Sequence, residues 1–333
     1  MNKLFLTTLI FLLFNINNVF SQYYYSQLFT GTTAPGWVMG AISGSTLPYL
    51  TANTIDSNGN GWLRLTENIQ NQGTFTYYNA PFSAPGAQIT ISFDFAVYNQ
   101  GGIGPADGFT FFLMDGSTSN PQPGAYGGSL GYSQRNSPNN VNGLTGGWLG
   151  VGFDIYGNYS NPTEGRLGGT GFTPNSIDMR GSGNGLNGYS FIAGSGTLPQ
   201  PLNFPNSPNR PSQTGTSYRH AQITISPDNT VTVQITFGAG SNPTVVVNSF
   251  SPFSQTRPDT LMFGFTGSTG SGTEVQEIRD FGVISSVPFY GAVIPELSSF
   301  KIMVLFSILF GIYYIIYYLF PKAIFPLKEI HNK

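Results

Sequence analysis

The chain has no cysteine. That excludes disulfides, thiol nucleophiles and zinc–thiolate sites, so stability must come from a large core or a bound metal. Lysine is missing from Gln22 through Glu296, where eight Arg face fourteen Asp or Glu. An acidic region with no basic stretch excludes nucleic-acid binding. Charged residues make up 8% of the chain, against about 25% in average globular proteins. Helical periodicity, internal repeats and heptads are all missing between the two termini. Histidine is nearly missing too: outside the C-terminal tail there is only His220. It has no acid, Cys or second His near it in sequence, so it reads as structural and leaves no Ser–His or Cys–His pairing to build on.

What is present begins with two apolar ends. Lys3 precedes the run Leu4 to Phe14, and Val19-Phe20-Ser21 offers small or β-branched residues where a signal peptidase reads. Residues 1–21 are therefore expected to be a secretory signal peptide, being too short in apolar length to span a bilayer. Ile302 to Phe320 is a stretch of 19 residues without a charge. At about 1.5 Å per residue it nearly matches a hydrocarbon core of about 30 Å. Lys301 precedes it, Lys322 and Lys328 follow, and Tyr313, Tyr314, Tyr317 and Tyr318 crowd its second half. This pattern predicts a transmembrane helix at 302–320 with a basic cytoplasmic tail at 321–333, joined by a linker at 287–301. Residues 22–286 would then lie outside the cell, tethered to the membrane. Ile294-Pro295-Glu296 before the apolar segment and Lys322 after it resembles bacterial sorting signals of the PEP-CTERM type.

Aromatic residues reach 15%, enough for a real core. Ile89, Ile91, Phe93, Phe95 and Val97 alternate with Thr90, Ser92, Asp94 and Ala96, the period of a half-buried strand. Phe109–Met114, Leu149–Ile155, His220–Ser226, Thr230–Phe237, Leu261–Phe265 and Val275–Val283 read as further strands. Pro227-Asp228-Asn229 reads as a hairpin turn, because Pro presets φ and Asn tolerates the left-handed region. Many strands with turn-rich connections predict an all-β sandwich or jelly roll. The loops at 99–107, 115–147, 157–175 and 194–216 are long enough to carry function.

Three segments concentrate polar groups. In Pro105-Ala106-Asp107-Gly108-Phe109 a carboxylate sits at the mouth of an apolar strand. In Gly127-Gly128-Ser129-Leu130-Gly131-Tyr132 the backbone can approach a ligand closely. In Gly150-Val151-Gly152-Phe153-Asp154-Ile155-Tyr156-Gly157-Asn158, the Asp154 carboxylate, the Tyr156 carbonyl and the Asn158 side chain alternate by two. On an extended segment that aligns three oxygen donors, as Ca2+ prefers.

In this order the three segments resemble the L-type (legume-like) lectins, most closely their bacterial members. The resemblance covers roughly residues 25–286 and implies a concanavalin A-like jelly roll that binds glycans with calcium. It implies that a cis Ala106-Asp107 peptide aims Asp107 at sugar hydroxyls and that Gly127 or Gly128 donates a backbone N–H. It further implies that Asp154, Tyr156 and Asn158 hold calcium while Asn158 also touches sugar. Gly264 to Gly270 looks like the family's last sugar-facing loop, which brings Gly270 to the site. Plant members carry a Glu two residues before the calcium Asp to hold a transition metal; here that position is Gly152, so no manganese site is expected. Glu164 is taken as the fourth calcium ligand, with Asp178 as the alternative. Tyr126, Tyr132 and Tyr159 are candidates to stack on the sugar's apolar face.

Two other functions are open. Glycoside hydrolases use sandwiches of this kind and need two carboxylates about 5–9 Å apart. The Asp154 strand offers one acid only, and Glu274 and Glu277, three apart, are expected on opposite faces of a strand. A structural surface or matrix protein without sugar binding is the other alternative. The expectation is a cell-surface glycan binder, not an enzyme, with a role in adhesion or glycan recognition.

Overall fold

Alternation decides the architecture. Ile89, Ile91, Phe93, Phe95 and Val97 are fully buried, while Thr90 and Ser92 between them are half-buried. The structure, a computed structural model, describes residues 22–248 and 255–288. The expected signal peptide, apolar helix and basic tail lie outside those residues, as does most of the 287–301 linker. Among the described residues no helix is long and apolar enough to cross a membrane.

Two eight-stranded sheets, antiparallel throughout, face each other. The back sheet runs Thr244–Asn248, Val231–Phe237, Arg219–Ile225, Ile89–Gly102, Gly272–Ser285, Leu63–Thr66, Tyr49–Leu50, with Tyr23–Gln27 also on Gly272–Ser285. The front sheet runs Phe191–Gly194, Ser176–Arg180, Gly147–Asp154, Gly108–Asp115, Thr260–Ser268, Gly73–Tyr78, Trp37–Ala41, with Phe82–Ser83 on Thr260–Ser268. The all-β sandwich is thus as expected. The strand that begins at Ile89 continues to Gly102, five residues past the end of its alternation, because its partner Gly272–Ser285 is equally long.

The main core fills the space between the sheets. Phe93, Phe95, Phe109, Phe111, Phe153 and Phe265 interlock there, with Phe109 and Phe153 stacked at 4.4 Å. A second apolar layer of Phe112, Met114, Leu130, Tyr132, Tyr159 and Tyr189 covers the other face of the front sheet. Phe109, Phe111 and Leu113 face the first layer; Phe112 and Met114 face the second. A strand buried on both faces has no reason to alternate, which explains the apolar run from Phe111 to Met114.

The turn at Pro227-Asp228-Asn229 joins Arg219–Ile225 to Val231–Phe237, with Asn229 at φ 70°. His220 faces outward from the back sheet, and the register puts it opposite Asp94. Its Nδ1 lies 2.7 Å from Asp94 Oδ1, which also accepts the Tyr218 hydroxyl at 2.8 Å. Pairing of strands supplies the acid that the local sequence lacks.

Glu274 and Glu277 do point to opposite faces. Glu277 turns outward, where Arg64 donates to Oε1 at 2.9 Å and Arg210 and Tyr98 bond Oε2. Glu274 turns inward and is fully buried: Asn203 donates to Oε1 at 2.7 Å, and Oε2 has no partner. Burial pushes its carboxyl up from 4.5 to about 8. Between those two values the folded protein holds the proton and the unfolded chain does not, so stability falls as pH rises across that window. Glu274→Gln keeps the shape and removes the ionisation. Its advantage in Tm over wild type is expected to grow from pH 5 to pH 8; a difference that stays constant with pH would refute the assignment.

Candidate functional site

The register of the front sheet builds the site. Gly108 pairs with Asp154 on one side and Ser268 on the other, so the chain before Gly108, after Asp154 and after Ser268 converges at one end. Asp107 is stapled there through its backbone. Its N–H donates to the Ser268 carbonyl at 3.1 Å, and its carbonyl accepts Ile155 N–H at 3.0 Å and Tyr156 N–H at 3.2 Å. The Ala106-Asp107 peptide is cis.

The Asp107 side chain is 5% exposed, and its Oδ2 is buried with no hydrogen-bond partner. Burial pushes its carboxyl up to about 7; nearby Glu164 pushes the same way, and Arg166 opposes. Gly270 lies against that lone oxygen: a Cβ at Gly270 would stand 2.9 Å from Oδ2. The turn Gly127–Ser129 closes the next side, with Ser268 Oγ donating to the Gly127 carbonyl at 3.1 Å. Gly127 itself has φ 73°, which glycine adopts without strain. Gly128 abuts Asn158, and a Cβ there would be 2.4 Å from the Asn158 Cβ. The structure therefore brings Asp107, Gly127, Gly128, Asn158 and Gly270 into one cluster.

Asp154 is fully buried and shapes the loop that follows it. Its Oδ1 accepts Gly157 N–H at 2.7 Å and its Oδ2 accepts Tyr159 N–H at 2.6 Å. Burial, with Asp178 beside it, pushes its carboxyl well above the usual carboxylate range. Each carboxylate oxygen has two lone pairs, so one on each remains. Among the described residues the Tyr156 carbonyl and the Asn158 side chain have no hydrogen-bond partner. These three supply oxygen donors of the kind calcium takes. Among the described residues no group of three or more His, Asp or Glu converges on a metal position. Glu164 is ion-paired with Arg166 at 2.8 Å and 39% exposed. Asp178 accepts Ser176 Oγ at 2.6 Å.

Two of the three candidate stacking tyrosines are corrected by their burial. Tyr132 and Tyr159 are fully enclosed, because glycines let their rings lie flat on the sheet. A Cβ at Gly150 would be 2.5 Å from the Tyr132 ring, and one at Gly152 equally close to Tyr159. Tyr159 therefore occupies the space that a side chain at position 152 would need. Tyr126 stays half-exposed. The aromatics that the sequence reading passed over are Tyr156, half-buried, and its edge-on neighbour Phe172, 55% exposed.

Two buried arginines hold the loops. Arg180 is fully buried and donates to four backbone carbonyls: Nε to Tyr159 at 2.8 Å, Nη1 to Leu167 at 3.0 Å and Tyr189 at 2.9 Å, and Nη2 to Gly168 at 3.2 Å. Arg166 bonds the Asn161 carbonyl, the Ser129 and Thr163 hydroxyls and Glu164. Between them they tie the 157–171 loop to its surroundings, and Arg180 places positive charge beside Asp154 and Asp178. A signal for Arg180 existed: charges at 178 and 180 flank the core residue Met179 in a chain nearly free of charge.

No protein-family model matches the chain, and no curated protein matches it in sequence. Solved structures do match. Basic winged bean lectin, solved with Tn-antigen, is 16% identical with a TM-score of 0.54 and covers 80% of this chain and 99% of its own. Lotus tetragonolobus seed lectin is 19% identical with a TM-score of 0.53, over 80% of this chain and 99% of its own. The exoplasmic/lumenal domain of VIP36, in a Ca2+/mannose-bound form, is 14% identical with a TM-score of 0.50, over 78% and 88%. At such identities the likeness establishes the fold, the jelly roll of the L-type lectins.

Removing Arg180 tests its role in the loops. Arg180→Met leaves four carbonyls without a donor and two buried acids without their cation. We expect a loss of about 3–5 kcal/mol in urea denaturation. Arg180→Lys keeps the charge but not the planar fork, and is expected to lose less.

Proposed function

We propose that the protein binds carbohydrate, without turning it over, at the cluster of Asp107, Gly127, Gly128, Asn158 and Gly270. The observation that carries this reading is the buried, unpartnered Asp107 Oδ2 at the convergence of these loops. Leaving such an acceptor unpaired costs about 1–3 kcal/mol, and a sugar hydroxyl is a donor of the right size to pair with it. The remaining groups complete what a sugar needs. Asn158 both donates and accepts, and the Gly127–Gly128 turn offers backbone at close range. Tyr156 and Phe172 give an apolar surface beside it. Structures of the same fold were solved with sugars: one winged bean lectin with Tn-antigen, and another with methyl-α-D-galactose.

Calcium is part of the proposal. Asp154, the Tyr156 carbonyl and Asn158 would hold it, with water or ligand hydroxyls completing the shell; Glu164 would join only by giving up Arg166. When bound, the ion supplies fixed positive charge next to Asn158. The chain's own residues do the rest: Asp107 accepts, Asn158 orients, and the loop anchored by Arg180 and Arg166 keeps both in place, so less entropy is lost on binding. We place this domain outside the cell, on the strength of the Leu4–Phe14 and Ile302–Phe320 segments, with glycan recognition or adhesion at the cell surface as its task.

Hydrolysis has one observation on its side, the influence of Glu164 on Asp107. Against it, Glu164 is neutralised by Arg166, and Asp154 already holds two backbone amides. Retention on a glycan array in calcium buffer tests the reading. Asp107→Asn, Asn158→Ala and Gly270→Ala are each expected to weaken retention at least about tenfold, corresponding to about 1.4 kcal/mol, and a chelator to weaken it further. Unchanged retention in all three variants would sink the site, and turnover of chromogenic glycosides would move the assignment to a hydrolase.

A further inference from the structure

The eight arginines supply every Lys or Arg cation among the described residues, and seven of them are spent. Arg64 and Arg210 bond Glu277, Arg166 bonds Glu164, and Arg279 bonds Asp280. Arg180, Arg219 and Arg257 donate to backbone carbonyls. Arg135 differs: among the described residues its side chain makes neither an ion pair nor a hydrogen bond, and its Nε is buried without an acceptor. In a domain this poor in cations, an idle guanidinium stands out.

Its position is set. The backbone of Arg135 exchanges two hydrogen bonds with Val141, at 2.9 and 2.7 Å, and the next residue, Asn136, donates to the Glu164 carbonyl at 2.7 Å. Its guanidinium carbon lies 4.9 Å from the ring centroid of Tyr126, the residue immediately before Gly127. Arg135 thus stands between the Gly127 turn and the Glu164 loop, both of which border Asp107. A guanidinium lying on an aromatic face keeps its N–H groups in its own plane, where a planar carboxylate can meet them with two parallel bonds. A guanidinium only donates, so it suits an anion better than the hydroxyls of a neutral sugar. Burial pushes the Asp107 carboxyl up and Glu164 is ion-paired with Arg166, so among the groups that border the cluster Arg135 is the cation with no carboxylate or carbonyl of its own.

We propose that Arg135, backed by Tyr126, forms a subsite for the carboxylate of an acidic sugar, adjoining the position governed by Asp107, so that the ligand is a uronate-containing glycan read in one direction. This rests on the carbohydrate reading of the Asp107 site and adds the class of glycan to it. The test compares oligogalacturonate and oligomannuronate with their methyl esters, alongside neutral oligosaccharides, on an array and by titration calorimetry. The full-length protein is used, with a thermal melt as the folding control for each variant. Wild type is expected to bind one uronate at least about tenfold more tightly than its ester, with the preference shrinking as salt rises. Arg135→Gln is expected to bring the acid-to-ester ratio to about one, and Arg135→Lys to restore part of it. Equal binding of acid and ester, a ratio that survives Arg135→Gln, or capture of neutral glycans alone would each overturn the subsite and leave the Asp107 reading standing. Capture of no glycan at all would overturn both.

Discussion

The buried guanidinium of Arg180 is the interaction on which the loop-covered end of the sandwich depends. A long loop over a sheet carries backbone groups that must be paired, and the 157–171 loop has no strand of its own to pair them. Arg180 gathers carbonyls from Tyr159, Leu167, Gly168 and Tyr189 onto one planar donor. Asp154 does the complementary job, accepting the N–H groups of Gly157 and Tyr159. Arg180 and Asp154, on neighbouring strands, therefore fold the loop between them, one as donor and the other as acceptor, in a region closed to water.

That device explains the glycines of the Asp154 strand. Gly150 and Gly152 lie beneath the rings of Tyr132 and Tyr159. The rings form a second apolar floor on the outer face of the front sheet, and the loop rests on it. A β-sandwich sheet that is apolar on both faces must be covered on both, and here loops do the covering that helices do in parallel sheets. The cover is rigid because it is packed and hydrogen-bonded, which matters for Asn158: a side chain held ready loses little freedom when a ligand arrives.

Much of this was legible in the sequence. The Ile89–Val97 alternation, the Pro227-Asp228-Asn229 turn and the spacing of glycines, Asp107 and Asn158 are local patterns, and local patterns survive in a linear reading. The site cluster itself was legible only as an order of segments; the sheet register brings it together. What could not be read depends on strand pairing. Asp94 reaches His220 across a sheet, Arg180 reaches carbonyls in two loops, and Tyr132 and Tyr159 look the same in sequence whether they face a sugar or a floor of glycines. Long-range partners of polar side chains carry no periodic signature, and they decide the electrostatics of this domain.

Scarcity of charge makes each pairing informative. In a surface rich in lysine, one guanidinium without a partner is ordinary, since exposed ion pairs contribute little. Here lysine is missing through the whole domain and nearly every arginine is committed to a carboxylate or a set of carbonyls. The same scarcity raises the effect of a single uncommitted charge on ligand choice, because the neighbouring cations are already paired, Arg166 with Glu164 and Arg180 with backbone carbonyls. Asp107 and Arg135 are then the two poles of the proposed site. The acid offers an acceptor for a neutral hydroxyl, and the guanidinium a donor fork for an anion. A ligand that presents both groups in that order satisfies each pole, and the reversed orientation would set a carboxylate against Asp107 and leave Arg135 unpaired.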